Sequence, residues 1–188
     1  NQNGSVVARY GTSYFDAPNG RTVASQLSHP HVMALAESQD GSIWAGTGSS
    51  TTIFGGLNRI RPGSSTITRF KHEEEDPNSL PNNNIQAIET DGSDRVWFLS
   101  STDNIHWINP RNEQISEVEL PDSAIVDKNR TQFLYEDSNN NIWIFKEGQK
   151  HPLYLNHENM EIIPIVLQLP DGTPLIDQIG EYRSIHET

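Results

Sequence analysis

Glu37-Ser-Gln-Asp-Gly-Ser-Ile-Trp44 returns twice further along the chain, as Glu89-Thr-Asp-Gly-Ser-Asp-Arg-Val-Trp97 and as Glu136-Asp-Ser-Asn-Asn-Asn-Ile-Trp143. The three tryptophans are 53 and 46 residues apart, so the chain is built from an internal repeat. Aligned on its glutamate, the middle copy holds one extra residue before tryptophan, which predicts a longer turn there. A short apolar run precedes each copy: Val32-Met-Ala-Leu-Ala36, Ile85-Gln-Ala-Ile88 and Thr131-Gln-Phe-Leu-Tyr135. Another follows it, in Ile43-Trp-Ala45, Val96-Trp-Phe-Leu99 and Ile142-Trp-Ile-Phe145. Asp, Asn and Gly between two apolar runs accept the positive φ angles of a tight connection, so each pair reads as a β-hairpin.

Third and fourth runs complete each unit. Gly56–Ile60, Asn104–Ile108 and Pro152–Leu155 come first, then Thr66–Phe70, Gln114–Val118 and Met160–Ile163, with polar turns between. Four short strands per 46 to 53 residues is the pattern of a propeller blade, and no segment sustains the 3.6-residue apolar period of a helix. The predicted fold is all-β, with β-propeller blades that are four-stranded antiparallel sheets. Three whole blades span 31–80, 81–128 and 129–178. Residues 1–30 read as the fourth strand of a preceding blade and a linker, and 179–188 as the first strand of a following one. The expected whole is a fragment of a larger propeller. Three blades do not close a ring, so their exposed sheet faces predict self-association or packing against the remaining blades of the same propeller.

Charge and composition exclude several function classes. The 188 residues carry 13 Lys and Arg against 25 Asp and Glu, a net charge of −12, which opposes the positive surface that nucleic-acid binding needs. There is no cysteine, so disulfides and thiol chemistry are absent. No apolar run approaches the roughly 18 residues of a membrane span, and no contact with a membrane is expected of this segment. The first residues, Asn1-Gln-Asn-Gly-Ser5, show no basic and apolar leader.

The repeats resemble the two-component regulator propeller family. The resemblance is fullest in Asp40-Gly-Ser-Ile-Trp-Ala-Gly-Thr47 and Gly55-Gly-Leu-Asn-Arg-Ile60, and extends to the inter-blade segment Asp76-Pro-Asn-Ser-Leu-Pro-Asn-Asn-Asn-Ile85. It covers nearly the whole chain, although the second and third units lack the Gly-Gly-Leu. The resemblance implies a periplasmic sensor region of a bacterial membrane protein, joined to a histidine kinase or diguanylate cyclase output. It implies a non-catalytic segment without cofactor, taking a small-molecule or glycan signal or a partner protein.

Candidate residues divide into core and rim. Trp44, Trp97 and Trp143 are expected to pack between blades as structural core, where an indole buries about 150–250 Å². In a propeller the first strand is innermost, and the fourth-to-first and second-to-third connections gather at one mouth of the axis. That places His29, His31, Asn82, Asn83, Asn84, Asp103, Lys128 and Arg130 at a polar face suited to a sugar. The first reading of these loops is as ordinary solvated connections, polar whether or not they bind anything, with the sugar face second to it. Histidines without cysteine or clustered acids do not make a zinc site. Asp137-x-Asn139-x-Asn141 starts like a calcium loop but has Ile142 where glycine is required, and reads as a turn. Gly46-Thr-Gly48 lies between strands with no helix to follow, which excludes a phosphate loop. No Gly-x-Ser-x-Gly elbow or His-Glu-x-x-His is present. An enzyme of lyase or glycan-degrading type, with His29, His31 or His106 at the channel mouth, and a pure protein-interaction propeller are the alternative readings.

Overall fold

In a computed structural model of the chain, the described residues are 11–12, 21–24, 26–49, 52–102, 104–120, 132–146, 151–166 and 168–173. All their regular structure is β. Three short strands come first, β1 (Gly11–Thr12), β2 (Arg21–Ala24) and β3 (Gln26–Leu27). The first blade follows with β4 (Val32–Glu37), β5 (Ile43–Ser49), β6 (Thr52–Ile60) and β7 (Ile67–Phe70). The second has β8 (Ile85–Thr90), β9 (Val96–Ser100), β10 (Ile105–Ile108) and β11 (Ile115–Val118). The third has β12 (Gln132–Glu136), β13 (Ile142–Lys146), β14 (Leu153–Leu155) and β15 (Ile162–Pro164).

Each blade is an antiparallel meander, paired in chain order from its first strand outward. Strand β2 extends the first to five strands by pairing antiparallel with β7, Arg21 opposite Phe70. First strands of successive blades lie beside one another, β4 against β8 and β8 against β12. These are the blades of a β-propeller.

The turn that carries the repeat is the same length in all three copies, which corrects the expectation of a longer middle turn. Ser38, Asp91 and Asp137 each take the first turn position, and their N–H groups bond the carbonyls of Ser42, Arg95 and Asn141 at 3.0 Å. Positive φ falls on Gly41, Asp94 and Asn140, three residues after each. The glutamates mislead because they are not equivalent. Glu37 and Glu136 pair with Ile43 and Ile142, whereas Thr90 holds that place in the second blade and Glu89 sits opposite Trp97. Gly46-Thr-Gly48 is also not a connection: it forms the end of β5, with a register shift after Thr47.

Two apolar layers hold the blades together. Trp44, Leu57 and Phe70 of the first blade meet Ile88, Val96, Phe98 and Ile108 of the second. Trp97, Leu99 and Ile105 of the second meet Leu134, Ile142, Ile144 and Leu155 of the third. Each tryptophan donates its indole N–H to the opening residue of its own turn. Trp44 reaches Ser38 Oγ at 3.0 Å, Trp97 reaches Asp91 Oδ2 at 2.7 Å and Trp143 reaches Asp137 Oδ2 at 3.0 Å. The indole thus buries its carbon surface while its one polar group stays bonded. Trp44 and Trp97 are fully buried, and Trp143 is half-buried. On the neighbouring third strand, Arg59, Trp107 and Tyr154 stand opposite the three indoles. Trp107 is half-buried there, 6.1 Å from Trp97 between ring centroids.

An arginine covers each of the first two tryptophans, one from strand β6 and one from the turn just before β9. Arg59 of β6 lies 5.0 Å over Trp44 and pairs with Asp40 at 2.7 Å. Arg95 lies 5.2 Å over Trp97 and pairs with Asp91 at 2.6 Å. Both reach the following blade: Arg59 donates to the Pro110 carbonyl at 2.6 Å, and Arg95 lies 3.5 Å from Met160 Sδ.

Candidate functional site

The connection into β4, the end of β5 and the connection into β8 converge at one end of the first two blades. Ser28 begins the convergence: its N–H donates to Asn58 Oδ1 at 2.9 Å and its hydroxyl bonds that of Thr47 at 2.8 Å. Both Ser28 and Asn58 are buried, so these bonds fix the 28–31 segment against the first blade. His29 is 1% exposed and accepts the His31 N–H on Nδ1 at 3.1 Å. His31 is exposed, and its ring stands edge-on to that of His29 at 5.1 Å. Burial, aided by the neighbouring His31, pushes the His29 ring below the ordinary histidine value.

The His31 carbonyl accepts the Gly48 N–H at 3.1 Å, carrying the line onto β5. Gly48 in turn lies against Asn84, where a Cβ would fall 2.5 Å from Oδ1. The three asparagines do separate jobs. Asn82 Oδ1 accepts the Asn84 N–H at 2.8 Å, Asn83 Oδ1 accepts the His72 N–H at 2.8 Å, and Asn84 Nδ2 donates to Ser101 Oγ at 2.6 Å. Gln86 Nε2 donates to the same hydroxyl at 3.1 Å. Asn84 is 5% exposed, and its Oδ1 makes no hydrogen bond. A buried amide oxygen left unbonded costs about 1–3 kcal/mol.

The sequence-derived rim is therefore joined from His29 and His31 through Asn84 to Ser101. Asp103, Lys128 and Arg130 lie outside the described residues. Among the described residues, no group of three or more histidine or acidic side chains is arranged to hold a metal ion. Asp137 is saturated by protein donors: the N–H groups of Asn139 and Asn141, and the Trp143 indole. Sequence reasoning did not find Gln86 and Ser101. Their one signal is position, next to Asn84 and directly after β9.

The opposite end carries charge. Gln39 of the first-blade turn donates its N–H to Asp94 at 3.0 Å and its amide to the Gly92 carbonyl at 2.9 Å. Gly92 donates its N–H to Glu136 of the third blade. Glu89, on the tryptophan side of β8, faces the same junction. Burial raises its pKa above the ordinary glutamate value; the Thr90 N–H opposes this, while Glu136 adds to it. Burial likewise raises Glu136, and Asp91 and Asp137 nearby push the same way. A carboxyl whose folded pKa exceeds its unfolded value stabilises the fold at low pH. That contribution disappears as pH rises through the folded pKa. Glu89→Gln is therefore expected to raise stability at pH 7 relative to wild type, with the gain shrinking toward pH 4. Urea denaturation at the two pH values checks this.

No protein-family model matches the chain, and no curated protein matches it. Solved structures do. A virginiamycin B lyase from Staphylococcus aureus is 22% identical with a TM-score of 0.56, over 77% of this chain and 45% of the lyase. The extracellular domain of BT4673 from B. thetaiotaomicron, described as a candidate hybrid two-component system, is 17% identical with a TM-score of 0.61. That match covers 84% of this chain and 20% of the other. An auxiliary nutrient binding protein from Bacteroides ovatus is 14% identical with a TM-score of 0.51, over 73% of this chain and 32% of that one. This chain thus spans less than half of each of these proteins, and at such identities what they share with it is the fold.

Proposed function

We propose that this chain is a non-catalytic signal-input segment of the two-component regulator propeller type. It would lie on the periplasmic side of a bacterial membrane-bound signal-transduction protein and take a small-molecule or glycan ligand at the axial rim. The single observation that carries the reading is the packing of Gly48, bonded to His31 in the first blade, against Asn84, bonded to Ser101 in the second. The contact crosses from one blade to the next beside the buried Asn84 Oδ1, which makes no hydrogen bond. A ligand seated across two blades would favour one arrangement of them, which is what a sensor needs to transmit. The repeat motifs and the likeness to an extracellular two-component domain support this setting.

A second reading, an enzyme, is favoured by the histidine pair at the rim and by the lyase fold neighbour. A catalytically inactive His-to-Ala variant of that lyase has been seen with quinupristin. One experiment separates the two. Calorimetric titration of the chain with a panel of neutral mono- and oligosaccharides is expected to give saturable binding. Asn84→Ala and His31→Ala should each weaken it about tenfold, the equivalent of about 1.4 kcal/mol. Absence of any binding would overturn the rim as a site. Turnover of a glycan or a cyclic ester, lost in His31→Ala, would replace the sensor with an enzyme.

A further inference from the structure

The first and third blades each leave part of one sheet face open, and the repeat shows what belongs on both. In the second and third blades, the first-strand residue paired with the one just after the tryptophan faces the blade before it. Ile88 pairs with Phe98 and is buried against Trp44, Leu57 and Phe70. Leu134 pairs with Ile144 and is buried against Trp97 and Leu99. Leu35 holds the same place, opposite Ala45, yet it is 64% exposed. Val32, opposite Thr47, matches Ile85 opposite Ser100, and is 42% exposed where Ile85 is fully buried. Ile43 and Ile60 pair across this face and are half-buried, whereas the matching pair in the second blade, Val96 and Ile108, is fully buried. The outer part of the face is closed, because Arg69 donates to the Gln26 carbonyl at 2.6 Å and Asn58 holds Ser28. An aliphatic strip along β4 stays open.

The tryptophan side of the third blade shows the complementary gap. Trp44 and Trp97 are fully buried, since the aliphatic face of the next blade lies on them. Trp143 is only half-buried, and so are Phe133, Tyr135 and Tyr154 on the same side of the sheet. Ile163, opposite Tyr154, is 39% exposed. The rings pack on one another, Trp143 edge-on to Tyr154 at 5.2 Å and Phe133 stacked on Phe145 at 4.5 Å. A face ordered in advance loses little side-chain freedom when it is covered. One end of the array thus offers rings without an aliphatic cover, and the other an aliphatic strip without rings. Contiguous exposed apolar surface of this kind marks an interaction site.

We infer that copies of this chain associate head to tail, with the β4 face of one seated on the Trp143 face of the next. The internal junctions select this occupant over a like-on-like pair: at both of them an aliphatic face meets a tryptophan face. The contact is heterologous, so it closes a ring or continues into a longer assembly. It needs no ligand at the rim.

The test is analytical ultracentrifugation of the whole chain at rising concentration. Species larger than one chain are expected, and their share should grow with concentration. Each copy carries a net charge of −12. Raising salt from about 0.05 to 0.5 M should therefore strengthen the association by screening that repulsion, whereas a contact built on ion pairs would weaken. Leu35→Glu and Ile163→Glu each put a charge where the side chain is already exposed, and urea denaturation confirms that both variants fold. Each should weaken association at least about tenfold, because the new carboxylate would be buried unpaired. Mixed in equal amounts, the two variants should associate again, since each keeps the face that the other has lost. A like-on-like pair through β4 would be lost in Leu35→Glu and untouched in Ile163→Glu. A monomer at every concentration, which leaves the strip to another occupant, would overturn the arrangement. So would unchanged association in either variant, or no recovery on mixing.

Discussion

Trp97→Ala is expected to cost about 3–5 kcal/mol, which is the range for removing a fully buried large aromatic. Three losses add at this position. The indole fills the layer between the second and third blades against Leu134, Ile142 and Leu155, and nothing adjacent is free to refill it. Arg95 and Trp107 lose the ring they pack on. Asp91, 3% exposed, loses the indole N–H at 2.7 Å but keeps Arg95 at 2.6 Å, so its charge stays paired. Trp143→Ala removes the same turn bond from a half-buried ring, and its cost should be clearly smaller. Urea denaturation followed by far-UV circular dichroism checks both. Equal losses at the two positions would mean that burial between blades is not what the indoles contribute.

The second large effect is expected at Gly55. Its φ of 143° is in the half of conformational space that a side chain rarely enters. A Cβ there would lie 2.3 Å from the Asn83 carbonyl oxygen and 2.5 Å from that of Thr47. Both are backbone atoms, so the clash cannot be relieved by a rotamer change. Gly55→Ala should therefore cost at least about 3 kcal/mol, combining backbone strain with overpacking. It should also disturb the rim, because Asn83 belongs to the connection that presents Asn84. Gly63→Ala is the control: φ is 69° and nothing lies within 4 Å, so only about 1–2 kcal/mol of left-handed strain applies. Thermal melting of the two variants tests the difference.

The strand plan was legible because apolar runs recur at fixed places around each tryptophan, and each turn before a tryptophan has Gly41, Asp94 or Asn140 where φ is positive. The position of the turn within the middle copy was not. Glu89 resembles Glu37 in the sequence, yet the two point to opposite sides of their sheets, and only pairing reveals which residue opposes which. Strand β2 was missed because Arg21-Thr-Val-Ala24 carries no repeat motif, and its place is set by β7, more than 40 residues away. Topology alone brings His31 and Asn84 to the same end of the blades, where both lie against Gly48. Ser101 and Gln86 needed coordinates, since their link is a shared hydroxyl between strands.

The two arginines that roof the tryptophans give the array a reading direction. Each points forward, and the places they meet correspond: Arg59 approaches Glu113 at 3.8 Å beside the Pro110 carbonyl, and Arg95 approaches Met160. Glu113 and Met160 occupy the same turn position, both at positive φ. The two junctions are therefore keyed differently, one to a carboxylate and one to a thioether. Shuffling the modules, with the third spliced directly behind the first, would set a guanidinium against sulfur where it now has an anion. Because Arg59 keeps Asp40 at 2.7 Å, permutation of these units should be tolerated better, by a modest margin, when Met160→Glu travels with it.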